Sequence, residues 1–242
     1  MSRLLLMSDL VLRCQRRADM EGDDVITPPE WKALISEQYT SLYSTVVSAG
    51  MRYFEATDSI TATGATSYPL PVDHDETIGV DRVIDAATDQ RVQLEEMMIQ
   101  ERTAWSGQTG EARAYSIVGQ TVVLFPRPST GTYKHVYVPQ APDLSALADS
   151  ATVDLVTGDG ESFLIWGVAV VAVPKRDRDP TLAITQRDGA GKRFAKDVQR
   201  RALVNPRRRV PRGGSAGGAG GCYDSEAAWL ANDPGDWSWR WR

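Results

Sequence analysis

The histidines and cysteines of this chain are too few and too far apart for the usual metal and thiol chemistry. There are two histidines, His74 and His135, and two cysteines, Cys14 and Cys222. No His-Glu-x-x-His or Cys-x-x-Cys spacing occurs, so we expect no standard zinc site. Two widely separated cysteines fit thiols that stay free in a reducing compartment.

Three other patterns of polar residues could in principle carry chemistry. Residues 73–76 are Asp-His-Asp-Glu, but consecutive side chains point in different directions, so we expect a solvated loop. His135 lies in an alternating Tyr-Lys-His-Val-Tyr stretch and is expected to pack beside aromatic neighbours. Glu95 and Glu96 are expected on a helix surface, because a glycosidase dyad would come from separated segments.

A glycine-rich segment carries a formal match to a nucleophile motif. Residues 213–217 are Gly-Gly-Ser-Ala-Gly, which fits Gly-x-Ser-x-Gly. That motif needs a strand before it and a helix after it, whereas residues 213–221 have the composition of a flexible linker. The same glycines lack the Gly-Lys-Ser/Thr ending of a phosphate-binding loop. We therefore predict no enzyme activity, no metal site and no cofactor.

The most unusual feature is the aromatic segment that follows this linker. Four of the seven tryptophans lie in the last 14 residues. Trp237, Trp239 and Trp241 alternate with polar residues, so in an extended strand all three would project to one face. Because buried tryptophan is a common interface anchor, we predict that this segment docks onto a partner. Folding back onto the chain's own core and stacking on single-stranded nucleic acid remain alternatives.

Charge is distributed unevenly along the sequence. Ten basic residues and two acidic residues lie between Arg187 and Arg212, a net +8, whereas the whole chain carries −5. Such an asymmetry typically marks an interaction surface for nucleic acid or an acidic protein. A solvated helix face that continues into a tail is the other interpretation.

Length and composition indicate a globular chain. The 242 residues are 42% hydrophobic and 24% charged, which excludes collagen-like, wholly disordered and disulfide-scaffold classes. The longest apolar run, 163–173, has 11 residues, whereas a membrane helix needs roughly 20. We expect no membrane span, and no export signal because Asp9 interrupts the N-terminal leucines.

Two helices are predicted in the N-terminal part. Apolar residues recur at spacings of three and four over 3–18, which indicates an amphipathic helix. A second helix is expected to start at Thr27, with Pro28 at its first position and Glu30 completing a capping box. Gly50 is expected either to stop this helix or to interrupt it.

A β segment is predicted over about 57–142. Short alternating runs separated by glycine and proline are typical of a small sandwich or barrel. Residues 59–63 and 68–71 are expected to form a strand and its return strand, and 115–125 a hairpin. Residues 95–102 are expected to form a short helical turn.

Helical character returns after residue 142. Residues 163–173 are apolar on all sides, which predicts a central buried helix, although their valines leave a strand as an alternative. Asp179 and Pro180 are expected to begin a last helix that continues to about Val204. Its buried face is predicted to consist of Ala183, Ala190, Phe194, Val198 and Ala202.

In this order of elements, the chain resembles the head–tail connector, or adaptor, proteins of tailed bacteriophages. The resemblance covers about residues 1–205 and rests on several fragments in a consistent order. They are E-W-x-x-x-I-x-E-x-Y-x-x-L-Y ending at Tyr43, Tyr68-x-Leu70-Pro71, Glu101-Arg102, Tyr115-x-Ile117 with Gly119, Pro126-x-Pro128, Tyr137-x-Pro139, Ala141-Pro142-x-Leu144, the apolar helix ending near Lys175 with Asp177 following, and a closing basic helix. Residues 206–242 depart from the family pattern.

The resemblance implies an α+β fold, a helical bundle with an inserted small antiparallel β domain, to which the composition adds an extended C-terminal arm. The core would span residues 1–205. Its helices would lie over about 3–56 and 159–205, and its β domain over about 57–142. The basic, glycine-rich and tryptophan-rich arm would span 206–242.

The resemblance further implies a structural function without catalysis. Such proteins form a homo-oligomeric ring of typically about twelve copies below the portal of the filled capsid, and tail or nozzle proteins dock on the opposite face. Packaged double-stranded DNA passes through the channel without sequence-specific binding. We therefore expect the chain at the head–tail junction of a virion assembled in the host cytoplasm. The alternative is a nucleic-acid-binding protein that uses the basic segment 187–212, whose affinity would fall steeply with salt.

The candidate site residues all lie in the arm. The expected anchors for the portal are Trp229, Leu230, Trp237, Trp239 and Trp241. The expected electrostatic contacts, to the portal or to DNA, are Arg207, Arg208, Arg209 and Arg212.

Overall fold

The computed structural model describes residues 3–105 and 107–204, which form both helices and strands. In chain order the elements are β1 (Leu4–Leu6), α1 (Met7–Arg17), α2 (Pro28–Ser48), β2 (Ala56–Thr61), β3 (Tyr68–Pro69), β4 (His74–Asp85), β5 (Gln90–Gln93), β6 (Glu95–Glu96), β7 (Ala114–Val118), β8 (Thr121–Phe125), β9 (Thr132–Pro139), β10 (Thr152–Asp154), α3 (Gly158–Ala172) and α4 (Thr181–Val204). Short 3₁₀ helices cover Ile99–Trp105 and Val173–Arg176. The predicted mixed α+β class is confirmed.

The strands form three sheets. Two sheets have four strands each, in the orders β2-β9-β4-β5 and β3-β8-β7-β6, and β1 pairs with β10. Every pair is antiparallel except β6 with β7. That parallel pair departs from the predicted antiparallel domain. It forms because the 3₁₀ helix Ile99–Trp105 lies between the two strands and supplies the crossover that parallel pairing needs.

One predicted hairpin is confirmed and the other is wrong. β7 and β8 pair across a two-residue loop in which Gly119 has φ +58°, a conformation that favours glycine. The expected pairing of 59–63 with 68–71 does not form: Ile60 lies opposite Tyr133, and Tyr68 lies opposite Val122. Ile60 and Tyr68 instead meet in one hydrophobic cluster from different sheets, which keeps both side chains in contact with apolar neighbours.

The N-terminal helices differ from prediction at their starts. α1 begins at Met7 rather than at residue 3, because Leu4–Leu6 pair with β10. α2 begins at Pro28 as predicted, but the Thr27 side chain makes no capping bond. The Glu30 carboxylate binds Lys175 and also accepts a hydrogen bond from the Thr27 backbone, so only the glutamate half of the predicted capping box forms. Gly50 has φ +73° directly after the helix, which confirms it as the stop.

α3 makes the most extensive contacts with the other helices. It packs against α1, α2 and α4, and its residues confirm the predicted buried helix over the strand alternative. The Thr157 hydroxyl caps its start by accepting a hydrogen bond from the Gly160 amide at 3.0 Å. Before it, buried Val156 has φ +63°, a strained conformation for a β-branched residue.

α4 follows a polar turn in which the Asp179 side chain accepts a hydrogen bond from the Thr181 amide at 2.9 Å. The helix therefore starts one residue later than predicted. All five side chains predicted to face the interior are buried: Ala183, Ala190, Phe194, Val198 and Ala202.

Two separate hydrophobic clusters hold these elements. The larger combines side chains of all four helices with β1, β10 and Val138. The smaller is built between residues 60 and 133 from both four-stranded sheets, for example by Val80 and Val122. β9 contributes Tyr133 to the smaller cluster and Val138 to the larger. Among the described helices, none is long and apolar enough to cross a lipid bilayer.

Candidate functional site

The residues predicted to bind a partner all lie outside the described part of the chain. This holds for the anchors Trp229, Leu230, Trp237, Trp239 and Trp241 and for Arg207, Arg208, Arg209 and Arg212. It also holds for Cys222 and for the nucleophile-motif match at 213–217. Their roles therefore stay predictions. The described residues contain three other groups of polar side chains.

The first group surrounds a buried carboxylate at the start of α3. Glu161 is only 9% exposed, and it accepts hydrogen bonds from Arg3 Nε at 2.7 Å and from Arg13. Arg3 precedes β1 and Arg13 lies on α1, so Glu161 fastens both elements to α3. Two guanidinium groups offset the cost of burying this charge. The sequence patterns considered above did not single out Glu161, whose signal was an acidic side chain two residues before the apolar run 163–173.

An open cleft of about 320 Å³ lies beside this carboxylate. It is lined by Arg13, Arg16, Arg17, Glu161 and Ile165. The Arg16 guanidinium binds Glu21 at 3.1 Å, and the Arg17 guanidinium lies 4.7 Å from the ring centroid of Trp166, a cation–π contact. Each arginine of the cleft therefore already has a neighbour in the chain, and we assign the cleft a structural role.

The second group is a pair of histidines joined by one hydroxyl. His135 on β9 is fully buried, and His74 begins β4. Thr77 Oγ1 lies 2.9 Å from His74 Nε2 and 3.0 Å from His135 Nε2. A hydroxyl can donate to one ring while it accepts from the other. Tyr137 stacks on His135 with ring centroids 5.1 Å apart, which confirms the predicted aromatic packing.

Two expectations about acidic segments are wrong. Residues 74–76 are not a loop, because His74 and Glu76 pair with Pro139 and Val138 and so extend β4. Glu95 and Glu96 form strand β6, and the predicted helical turn begins only at Ile99. Within 3–105 and 107–204, no group of three or more histidine, cysteine or carboxylate side chains could hold a metal ion.

Burial controls the protonation of His135. The pKa of His135 is lowered to about 4, mainly by burial and to a lesser degree by nearby His74, while Asp58 opposes the shift. The His135 Nδ1 atom is buried and has no hydrogen-bond partner among the described residues. His135 is therefore neutral at pH 7, and a proton added to it would have to be accommodated in a buried site.

We expect the stability of the protein to fall between about pH 6.5 and pH 4 through His135. In this range the unfolded chain takes up a proton on the imidazole that the folded chain excludes, so unfolding becomes easier as the pH falls. The full effect is at most about 3 kcal/mol. Thermal unfolding of wild type and H135F across this range measures it.

The slope against pH is the informative quantity, because H135F also loses the Thr77 hydrogen bond and will differ in absolute stability. Carboxylates contribute to the acid slope of both proteins equally. H135F should therefore show a shallower slope than wild type. H74Q, which keeps His135, should retain most of it. Equal slopes for wild type and H135F would contradict the prediction.

The third group is basic and lies on α4. Residues 187–204 of the alternative nucleic-acid-binding segment form the C-terminal three-quarters of this helix. Arg187 forms an ion pair with the next residue, Asp188, at a distance of 2.7 Å. The other cations of α4 lie further along the helix, between Lys192 and Arg201.

Cys14 behaves as a core residue. It is free and fully buried in α1, and burial raises the pKa of its thiol. A thiol held in its protonated form by apolar surroundings is a poor nucleophile. Cys14 therefore contributes packing rather than reactivity.

The family match of this chain has nearly the same extent as the described fold. A family model described as SU10 adaptor protein matches residues 7–213. The match takes in α1 to α4, both four-stranded sheets and the start of the glycine-rich segment, and it ends before Trp229. No match to the chain is found among curated proteins.

Proposed function

We propose a function for this protein on the premise that the chain belongs to the SU10 adaptor protein family, whose model covers residues 7–213. The family is a bacteriophage structural adaptor family and not an enzyme family. The coarse identity that follows is a phage structural protein of the head–tail junction. The finer statements below are our proposals.

The chain acts as one subunit of an adaptor ring that joins the portal of the capsid to the tail and continues the DNA channel. The family match is the observation that supports this role. A closed homo-oligomeric ring, with about twelve copies as in the resembling proteins, presents the portal-facing residues of every copy at one end. Tail or nozzle proteins bind the other end, and assembly takes place in the host cytoplasm.

The core of the subunit is a helical bundle with an inserted β domain. α1 and α2 precede the strands β2 to β9, and α3 and α4 follow them, yet α3 contacts all three other helices. The two hydrophobic clusters support this division, because the smaller one draws only on residues of the β segment. Residues 1–205 form this core, and residues 206–242 form the arm.

The arm provides affinity for the portal. Trp229, Leu230, Trp237, Trp239 and Trp241 are the anchors, because large aromatic side chains contribute most to interfaces when they enter partner pockets. Arg207, Arg208, Arg209 and Arg212 pair with acidic groups of the portal, and such charges steer association more than they hold the complex together.

Electron microscopy of the purified protein mixed with the portal ring from the same genome tests this function. We expect an additional ring of density at the narrow end of the portal, which is absent from either protein alone. Separate and unchanged populations in the mixture would refute the adaptor role. Images of the protein alone show whether the ring needs the portal as a template.

A further inference from the structure

The outer face of α4 has a fixed orientation because its inner face is buried. Ala190, Phe194 and Val198 are all fully buried, and Phe194 and Val198 belong to the larger hydrophobic cluster. Lys192, Lys196 and Arg200 follow at spacings of four, so they lie above one another on one face of the helix. At a rise of ~1.5 Å per residue they span about 12 Å.

These cations are poorly neutralised by the chain itself. No carboxylate of the described residues lies within 4.0 Å of the Lys192 or Lys196 ammonium group, since neither appears in an ion pair. The Arg200 side chain is 79% exposed, and its partner Asp197 also binds Arg201. The face therefore presents a row of positive charge to solvent.

The composition of this face favours a phosphate backbone over a protein partner. Protein interfaces are depleted in lysine and rely on aromatic or large apolar anchors. Between Thr185 and Arg200 the exposed side chains of α4 are polar or charged. The exposed apolar residues of this helix, Leu182, Ile184 and Leu203, lie near its two ends. Duplex DNA, by contrast, carries about one negative charge per 1.7 Å, or on the order of seven along the length of this row.

The rest of the molecule limits where such a contact can form. α4 holds six basic and two acidic residues, whereas the whole chain carries −5. The acidic remainder repels a polyanion from other approaches. Contacts from lysine and arginine to phosphate oxygens carry no sequence information, so such a contact is independent of sequence.

We propose that the outer face of α4 binds the sugar–phosphate backbone of duplex DNA through Lys192, Lys196 and Arg200, without reading the base sequence. This binding site goes beyond the adaptor function, which requires DNA to pass but assigns no residues of the core to it.

The test is the affinity of the full chain for a labelled duplex of mixed sequence, measured by fluorescence anisotropy between about 50 and 200 mM salt. For K192Q/K196Q/R200Q we expect at least tenfold weaker binding at the lowest salt. The slope of log K against log salt should shrink by about 2.7, because three phosphate contacts are lost. Glutamine is a good helix former, so α4 should be retained, and circular dichroism checks this.

A matched control removes three cations that already have carboxylate partners. R52Q/R91Q/R178Q has the same net charge as the α4 variant, and its arginines bind Glu55, Asp89 and Asp19. We expect this control to bind DNA like wild type. A fourth protein, R207Q/R208Q/R209Q/R212Q, measures the share of the arm, and the α4 substitutions should still weaken binding in that background.

Three outcomes would overturn the proposal. One is an α4 variant with wild-type affinity and slope. A second is an equal loss in the matched control, which would indicate a general charge effect. A third is intact DNA binding combined with lost self-association, which would assign the face to a second copy of the chain. Docking of the α4 variant to the portal is scored separately, so failure here leaves the adaptor role standing.

Discussion

Replacement of Gly160 by alanine should destabilise the protein by about 3 kcal/mol. A Cβ atom at this position would lie 2.3 Å from the Leu155 carbonyl oxygen, 3.0 Å from the Phe194 ring and 3.4 Å from Leu42. The carbonyl belongs to the backbone of the strained turn at Val156, which the Thr157 cap holds in place. It cannot move aside as a flexible side chain would. Chemical denaturation monitored by circular dichroism gives the change in free energy of unfolding.

Gly158 provides the control two residues earlier in the same helix. A Cβ atom there meets nothing within 4 Å, and alanine is the better helix former by up to ~1 kcal/mol. G158A should therefore be as stable as wild type or slightly more stable. A small effect of G160A, or equal losses in both variants, would mean that the close approach of α3 to Leu155 is not what holds this turn.

Deletion of residues 206–242 should abolish docking to the portal while the remaining protein stays folded. The expectation follows from placing every anchor in the arm, since losing buried tryptophans typically removes most of the affinity of an interface. Co-sedimentation with portal rings measures docking. Thermal unfolding of the truncated chain measures the fold, and we expect a transition close to that of the full chain.

Point variants separate the two contributions of the arm. W237A/W239A/W241A should lose docking at all salt concentrations, because the loss is of apolar contact. R207Q/R208Q/R209Q/R212Q should mainly slow association at low salt. Docking that survives the deletion would move the portal contact into residues 1–205. A truncated chain that fails to unfold cooperatively would show instead that the arm belongs to the core.

Local signals in the sequence predicted the elements better than their partners. The apolar run of α3, the buried face of α4 and the hairpin β7–β8 each follow from residues close together in sequence. The pairing of β2 with β9 does not, because Ile60 and Tyr133 are far apart and several alternating strands compete for the same neighbours. The tertiary contact also overrode propensity at Leu4–Leu6, where an apolar helical pattern is a strand.

The described polar groups were harder to predict than the helices. The carboxylate of Glu161 is buried only because Arg3 and Arg13 reach it from distant parts of the sequence. The link between His74 and His135 depends in the same way on the register of β4 against β9. The chemical type of one residue does not indicate which distant residue it will contact in the fold. The aromatic arm, whose signal is compositional, could be singled out from sequence without any fold.

The central place of α3 has a consequence for synthesis of the protein on the ribosome. Strands β2 to β9 find all their partners between residues 56 and 139, so this segment can close as soon as it has emerged. α1 and α2 emerge first, yet they pack against α3, and β1 must wait for β10. Their apolar faces therefore stay open to water until nearly the whole core has been translated. A nascent chain that is released before α3 exposes these faces and is a natural target for chaperones and proteases.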